Sequence, residues 1–471
     1  MTHGQPRSLD RFLRVFTDVR AGEGVTAVLL SLNIFLLLTA YYVLKPVREA
    51  LILGQGSAEL KSYLSAAMVG VLAIAVPLYG RLAVRVARRR LINTVTAVFA
   101  GCLVLFYLLA QAQVSLGIVY FVWIGVFNMM LPSQFWAFAN DVYTKDQGER
   151  LFPIVGFGAS LGAVLGAVIA GWLIGPIGLN QLLLVGAVLL VLQLLLTNFV
   201  DVRERARSRD AVEAAPPPPA AGADASRDRP SRGAFGMVFR TPYLLMIGLM
   251  LLCLNWVNTT GEYILGSVVE DAARAAVAAG TAGGLSVEEY IGQFYSRFFG
   301  VVNVAGLVIQ LFLVSRIIKY LGVRFAVMVL PCIAFGAYNV LAFFPALAFV
   351  RWAKTAENAT DYSLNNTVRH MLFLPCTPEQ KYGAKQAIDS FFVRIGDVLS
   401  AGLVFVGTTY LALSGSGFAA ANLFIVIAWL ALAYSIGREY TRLTATGQQP
   451  GPRLVGSREA GAPVQPAPVS S

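Results

Sequence analysis

The apolar residues of this chain gather into about a dozen uninterrupted runs, each close to the ~20 residues that a helix needs to cross a bilayer. They fall at roughly 25–44, 60–80, 91–110, 117–139, 153–174, 179–200, 243–267, 290–315, 325–343, 345–367, 386–410 and 417–437. Nothing else in the sequence restricts the fold as strongly. The runs are continuously apolar rather than alternating, which argues against a barrel, and a helix satisfies its own backbone in lipid. The expected fold class is therefore all-α, a polytopic membrane protein with about twelve transmembrane helices.

Residues 1–24 lack the apolar core and cleavage site of a signal peptide, so the first span is expected to act as the insertion signal. Within them, "SLDRFLRVF" at 8–16 sets Leu9, Phe12, Leu13 and Phe16 at helical spacing between arginines, the pattern of a segment lying on the membrane surface. Of the 37 Lys and Arg residues, 29 lie in alternate loops and at the two ends. The opposite loops hold little beyond Lys61 and Arg274, which places both termini in the cytoplasm. The net charge of +11 is then a topology signal rather than the footprint of a nucleic-acid binder.

Residues 201–242, rich in proline, alanine and charge, read as a disordered cytoplasmic linker that divides the chain into six-helix halves at 25–200 and 243–440. The tail 441–471 has the same character. "GRLAVRVARRRLI" at 80 is echoed by "SRIIKYLGVRFAV" at 315, and "LGAVLGA" at 161 by "IGDVLSA" at 395. The nearly shared offset at equivalent places suggests two related halves, as in the major facilitator arrangement. An insertion at 270–289 has no counterpart in the first half and is expected to form a short external helix.

Charge inside such spans is costly, at least ~2.5–3.5 kcal/mol per residue on insertion scales, so it marks a path, a partner or a watery cavity. "FVRWAKTAENATDYSLNN" at 349–366 carries Arg351, Lys354, Glu357 and Asp361 at helical spacing on one face. They are read as the wall of a transport path, or as a structural ladder of ion pairs. "YYVLKPVREALIL" at 41–53 places Lys45, Arg48 and Glu49 after an apolar run; interfacial snorkelling accounts for Lys45, and a substrate-facing role is open for Arg48. Glu262 is a coupling candidate, with a static pair to Arg297 as the structural alternative. In the eleventh span Asp389 and Asp397 share a face and Arg394 can reach Asp397 at (i, i+3), with Lys385 preceding them. Asp141 stands at the cytoplasmic end of span four as a gate or loop charge.

Enzymatic readings find little support. The glycines of "GFGASLG" recur at Gly158, Gly162 and Gly166, a spacing that marks a close helix-packing face, and no strand precedes them. There is no phosphate-loop signature and no Ser/His/Asp set. With two histidines and four cysteines at unrelated spacings, no metal site or cofactor is expected.

Three stretches carry a resemblance. "YYVLKPVREAL" at 41, "QFWAFANDVYTKDQGERLFPIVGFGASLG" at 134 and "DYSLNNTVRHMLFLPCTPEQKYGAKQAIDSFFVRIG" at 361 resemble signature regions of the ATP/ADP translocase family of bacterial parasites and plastids. The resemblance implies a twelve-helix fold of the major facilitator type and exchange of nucleotides. It puts Arg48 at the place of an important lysine, matches Asp141 and Glu262 to family acids, and retains Lys385, Asp389 and Arg394. Asp361 and Asp397 stand where the family carries lysines, which makes the cavity more acidic.

The combined expectation is a secondary transporter of the bacterial inner membrane. Its candidate anion contacts are Arg48, Arg351, Lys354 and Lys385. Candidate coupling or gating groups are Lys45, Glu49, Asp141, Glu262, Arg297, Glu357, Asp361, Asp389, Arg394 and Asp397. Its partners are lipid and an anionic solute, a nucleotide in the case the resemblance implies. The alternatives are a proton-coupled transporter of a smaller phosphorylated or zwitterionic metabolite and a membrane sensor or scaffold that moves nothing.

Overall fold

The computed structural model describes residues 19–20, 23–213, 234–377 and 379–451, and these form helices with no strand among them. The surface segment expected at 8–16, linker residues 214–233 and tail residues 452–471 lie outside the described residues. The first half comprises α1 (Gly24–Gln55), α2 (Ala58–Arg85), α3 (Arg88–Gln111), α4 (Gly117–Val142), α5 (Lys145–Ile177) and α6 (Gln181–Glu213). The second comprises α7 (Pro242–Ala278), α8 (Val287–Val308), α9 (Val314–Phe343), α10 (Leu347–Thr360), α11 (Val393–Thr409) and α12 (Gly415–Thr446).

Ten stretches are long and apolar enough to cross a membrane among the described residues. They fall short of the dozen expected runs for two reasons. Val287–Phe343 counts once although its helix breaks at Gly322, whose positive φ of 74° turns the chain between the eighth and ninth apolar runs. The α10 segment is only fourteen residues long and carries Arg351, Lys354 and Glu357, too short and too charged to stand as an apolar span by itself.

The glycine face read from the sequence is a helix contact. A Cβ on Gly158, Gly162 or Gly166 of α5 would overlap the carbonyl oxygen of Ser31, Phe35 or Thr39 of α1, so only glycine lets the two backbones approach. The echoed position in the second half is Gly396 of α11, whose Cβ would lie 2.8 Å from Leu252 O and 2.9 Å from Trp256 N of α7. The α5–α1 contact is thus repeated as α11–α7.

Each half begins and ends on one face of the bundle. Thr26 at the start of α1 donates to Glu204 near the end of α6, and Pro242 at the start of α7 lines a cleft with Arg442 at the end of α12. We call this the terminal face. Contacts between the halves gather toward the opposite, far face: Ser296 Oγ donates to Ala167 O (2.6 Å), Asn303 to Ala163 O (3.0 Å), Tyr263 to Glu59 (3.3 Å) and the Ala58 N–H to Glu270 (3.1 Å). The insertion supplies part of this closure. Helix α7 runs on into it as far as Ala278, and Ser286 with Glu289 forms the capping box that starts α8.

Candidate functional site

Where the halves meet, six charged side chains alternate in sign. Glu49 of α1 is fully buried, accepts from Arg48 Nε (2.9 Å) and lies 2.7 Å from the Lys61 ammonium of α2. Lys61 Nζ also stands 3.6 Å from Glu262 Oε2 of α7, the step that crosses between the halves. Glu262 in turn accepts from Asn358 (3.3 Å) and lies 3.9 Å from Lys354 of α10. The Lys354 ammonium, itself wholly buried, donates to Asn258 Oδ1 (2.9 Å) and to Glu357 Oε2 (3.0 Å). An uncompensated charge at this depth costs several kcal/mol, and alternation gives each ion an opposite neighbour.

Aromatic rings form the rest of the wall. Lys45 Nζ lies 3.8 Å from the ring centre of Phe299 and 5.2 Å from that of Tyr42, and Arg48 faces Phe121 at 5.4 Å. Such faces attract cations without neutralising them. Gly261 makes room for the chain at its centre, because a Cβ there would overlap the Tyr338 hydroxyl and lie 3.1 Å from Lys354 Nζ.

Several sequence expectations are revised. Lys45 does not snorkel to an interface: it is 8% exposed and packed on Phe299 of the opposite half. Glu262 is not held by Arg297, whose side chain is exposed; its cations are Lys61 and Lys354. The four charges of "RWAKTAENATD" do not act as one row. Lys354 and Glu357 pair, Arg351 turns to the rings of Phe294 and Trp352, and Asp361 accepts from Asn365 at 2.7 Å.

The eleventh-span charges divide as well. Arg394 reaches Asp397 at 3.2 Å as its spacing predicts, and Asp397 also accepts from Asn255 (2.7 Å) and Thr259 (2.8 Å) of α7. Asp389 belongs to a different group, with Arg369 at 2.9 Å and Lys385 at 3.9 Å, and Lys385 Nζ lies 3.2 Å from His370 Nδ1. Asp141 pairs with Arg88 at a cleft of about 450 Å³ between α3, α4 and α6.

Sequence reasoning missed Lys61, which it assigned to a loop. Its signal was there: a lone basic residue on the side otherwise almost without them. It also missed Asn258 and Asn358, whose amides connect α7 to α10. An uncharged amide in a helical span carries little cost to mark it.

Among curated proteins, the chain is 23% identical over 368 residues to ADP,ATP carrier protein 1 of Chlamydia muridarum (strain MoPn / Nigg), covering 68% of this chain and 64% of that protein, slightly under two thirds of its length. It is 22% identical over 361 residues to ADP,ATP carrier protein 1 of Chlamydia pneumoniae, covering 68% of this chain and 67% of that one. Among solved structures it superposes on the nucleoside transporter NupG with a TM-score of 0.58 at 11% identity, over 89% of this chain and 99% of that one. A bacterial homologue of the human lysosomal transporter Spinster, inward-facing and unoccupied, gives a TM-score of 0.53 at 14% identity, over 90% and 98% of the two chains. The sequence model of one family, the Major Facilitator Superfamily, matches residues 27–438. That match takes in both halves and every charge of the buried chain, and the protein belongs to the Major Facilitator Superfamily.

Proposed function

We propose that the protein is a secondary transporter that moves an anionic solute, of the nucleotide type, by exchange across a bacterial inner membrane with both termini in the cytoplasm. The observation that carries this reading is the buried chain of alternating charge from Arg48 to Glu357, which joins the halves near the far face. A scaffold has no need of six ions at an internal interface. A machine that opens and closes there does, because ion pairs can change partners as the halves rock about a central site.

In this reading the substrate anion meets Arg48 and Lys45. Arg48 keeps 20% of its side chain exposed, and its guanidinium offers a planar fork to phosphate or carboxylate. Among the described residues Lys45 makes no ion pair with a carboxylate, and it packs against the ring faces of Phe299 and Tyr42. The similarity to ADP,ATP carriers supports a nucleotide as the passenger.

A second reading, a proton-coupled transporter of a smaller phosphorylated or zwitterionic metabolite, is favoured by one observation. The buried chain contains as many carboxylates as cations, which leaves little attraction for a polyanion. Counterflow decides between the two. Proteoliposomes preloaded with unlabelled ATP and ADP are expected to take up labelled ATP, and Arg48→Ala and Glu262→Gln are expected to abolish uptake. Folded, inserted protein that exchanges no nucleotide sinks the first reading, and proton flux accompanying a small solute would establish the second.

A further inference from the structure

The stretch that joins the tenth and eleventh apolar runs lies at the terminal face. Leu372 O accepts from the Tyr243 hydroxyl at the start of α7 (2.7 Å), and the Gln380 amide donates to Pro450 O beyond α12 (3.0 Å). Four side chains interlace here. Arg369 donates to Asp389 Oδ1 (2.9 Å), Lys385 Nζ lies 3.9 Å from Asp389 Oδ2, and the same ammonium lies 3.2 Å from His370 Nδ1. Three π-helical turns frame the group: Asp361–Asn365 ends one turn before Arg369, Gln380–Ala384 runs directly into Lys385, and Ile388–Phe392 contains Asp389. Such turns gather at functional sites.

The group is not balanced as the buried chain is. Among the described residues Asp389 is the one carboxylate within ion-pair distance of Arg369 or Lys385, so two permanent cations and an imidazole share a single acid. Nor is the group closed: the side chains of Arg369, Lys385 and Asp389 are 27%, 31% and 36% exposed, and His370 is exposed as well. Cations held this close repel one another, and a second anion on their open side relieves that repulsion. Arg369 brings a planar fork and Lys385 a compact point charge, the two donor types that suit phosphate oxygens. We propose that Arg369, His370 and Lys385 bind an oxyanion, the phosphate group of a solute or of a lipid headgroup, on the terminal face.

Binding draws in a proton. Lys385 stands at donating distance from a ring nitrogen of His370, and a protonated ring would set two cations 3.2 Å apart. The charged groups facing His370 are Lys385, Arg369 and Asp389. Desolvation and the two cations lower its pKa below the ordinary 6.5, and Asp389 opposes them. An oxyanion beside the ring reverses this field and makes His370 a third donor, so affinity rises as the pH falls through the neutral range. The site rests on the anionic-solute reading only for its role, a first stop for the solute on the terminal side.

The test reads binding without transport. The chain has two histidines, His3 and His370, so in His3→Gln protein a ring-labelled histidine gives one NMR signal, that of His370. Sulfate, which does not titrate in this range, is added to the full-length protein in phosphatidylcholine nanodiscs against chloride at equal ionic strength. The His370 pKa is expected to rise by about one pH unit at saturation. Arg369→Gln and Lys385→Gln are each expected to remove most of that rise, and Lys385→Arg to keep it. Asp389→Asn, which removes the competing acid, is expected to lower the half-saturating sulfate concentration about two- to fivefold. Folded protein whose His370 responds to sulfate no more than to chloride overturns the proposal, as does a response that survives both Gln variants. Phosphatidylglycerol in the nanodisc separates the sources: if it raises the His370 pKa by itself and abolishes the sulfate response, the occupant is a headgroup, and if it leaves that response intact, the occupant is a free solute. A responding site in a protein that exchanges no nucleotide keeps the oxyanion site and removes only its role for that passenger.

Discussion

The two halves make the same helix contact by different means. In the first, three glycines of α5 lie directly on the backbone of α1. In the second, α11 brings one such glycine, Gly396, to α7 and completes the contact with Asp397, which accepts from Asn255 and Thr259. The halves differ again in their helices. The five-residue π-helical turns at Ile309–Leu313, Asp361–Asn365, Gln380–Ala384 and Ile388–Phe392 all belong to the second half among the described residues. Turns of this kind shift the register of the helix beyond them and gather at functional sites. The α5–α1 contact rests mainly on steric fit with one hydrogen bond, from Ser31 Oγ to Ile154 O, whereas the α11–α7 contact adds a hydrogen-bonded carboxylate and the second half carries the wide turns, which can rearrange. This difference teaches where motion is to be sought.

The largest effect is expected where the two constructions meet. Glu49→Gln leaves Lys61 and Arg48 buried without their shared carboxylate and should cost about 3–5 kcal/mol, read as a lower unfolding midpoint in detergent. A change below about 1 kcal/mol would mean that Lys61 simply transfers to Glu262, and the chain would be looser than its distances suggest. Next, Gly162→Ala forces a Cβ onto Phe35 O and should lose about 1–3 kcal/mol, more than Gly396→Ala in the second half. Equal losses would remove the distinction between rigid and adaptable halves.

The smallest effect lies at the terminal face. Burial would raise the Glu23 carboxyl, but hydrogen bonds from Arg150, the Arg20 backbone and Gln147 outweigh it and hold it at about 2, below the ordinary 4.5. Because the folded value is depressed, this contribution is present above pH 4.5 and is lost as the pH falls toward about 2. Glu23→Gln should flatten the acid limb of the unfolding curve over that range. An unchanged acid limb would show that the anchor of α1 to α5 contributes nothing measurable.

Much of the fold was legible because each signal was local. Apolar runs give helices wherever the backbone must satisfy itself, and the four-residue glycine spacing of α5 announced a close contact without naming α1. The Arg394–Asp397 pair was legible for the same reason, since both residues lie on one turn. Lys61 was misread because its partners, Glu49 and Glu262, are distant in sequence, and Arg297 was overvalued because its exposure depends on how α8 faces its neighbours.

The sequence by itself determined that this chain is a helical membrane protein of two related halves carrying costly charge in its spans, because hydrophobic length and the expense of a buried ion are properties of single segments. Only the tertiary structure decided which charges compensate one another: that Lys61 joins the halves, that Lys45 lies on a ring of the opposite half, and that Glu357 and Asp361 face one small cavity. Ion pairing depends on distances of a few ångströms between helices that the chain brings together from far apart, and no local pattern contains them.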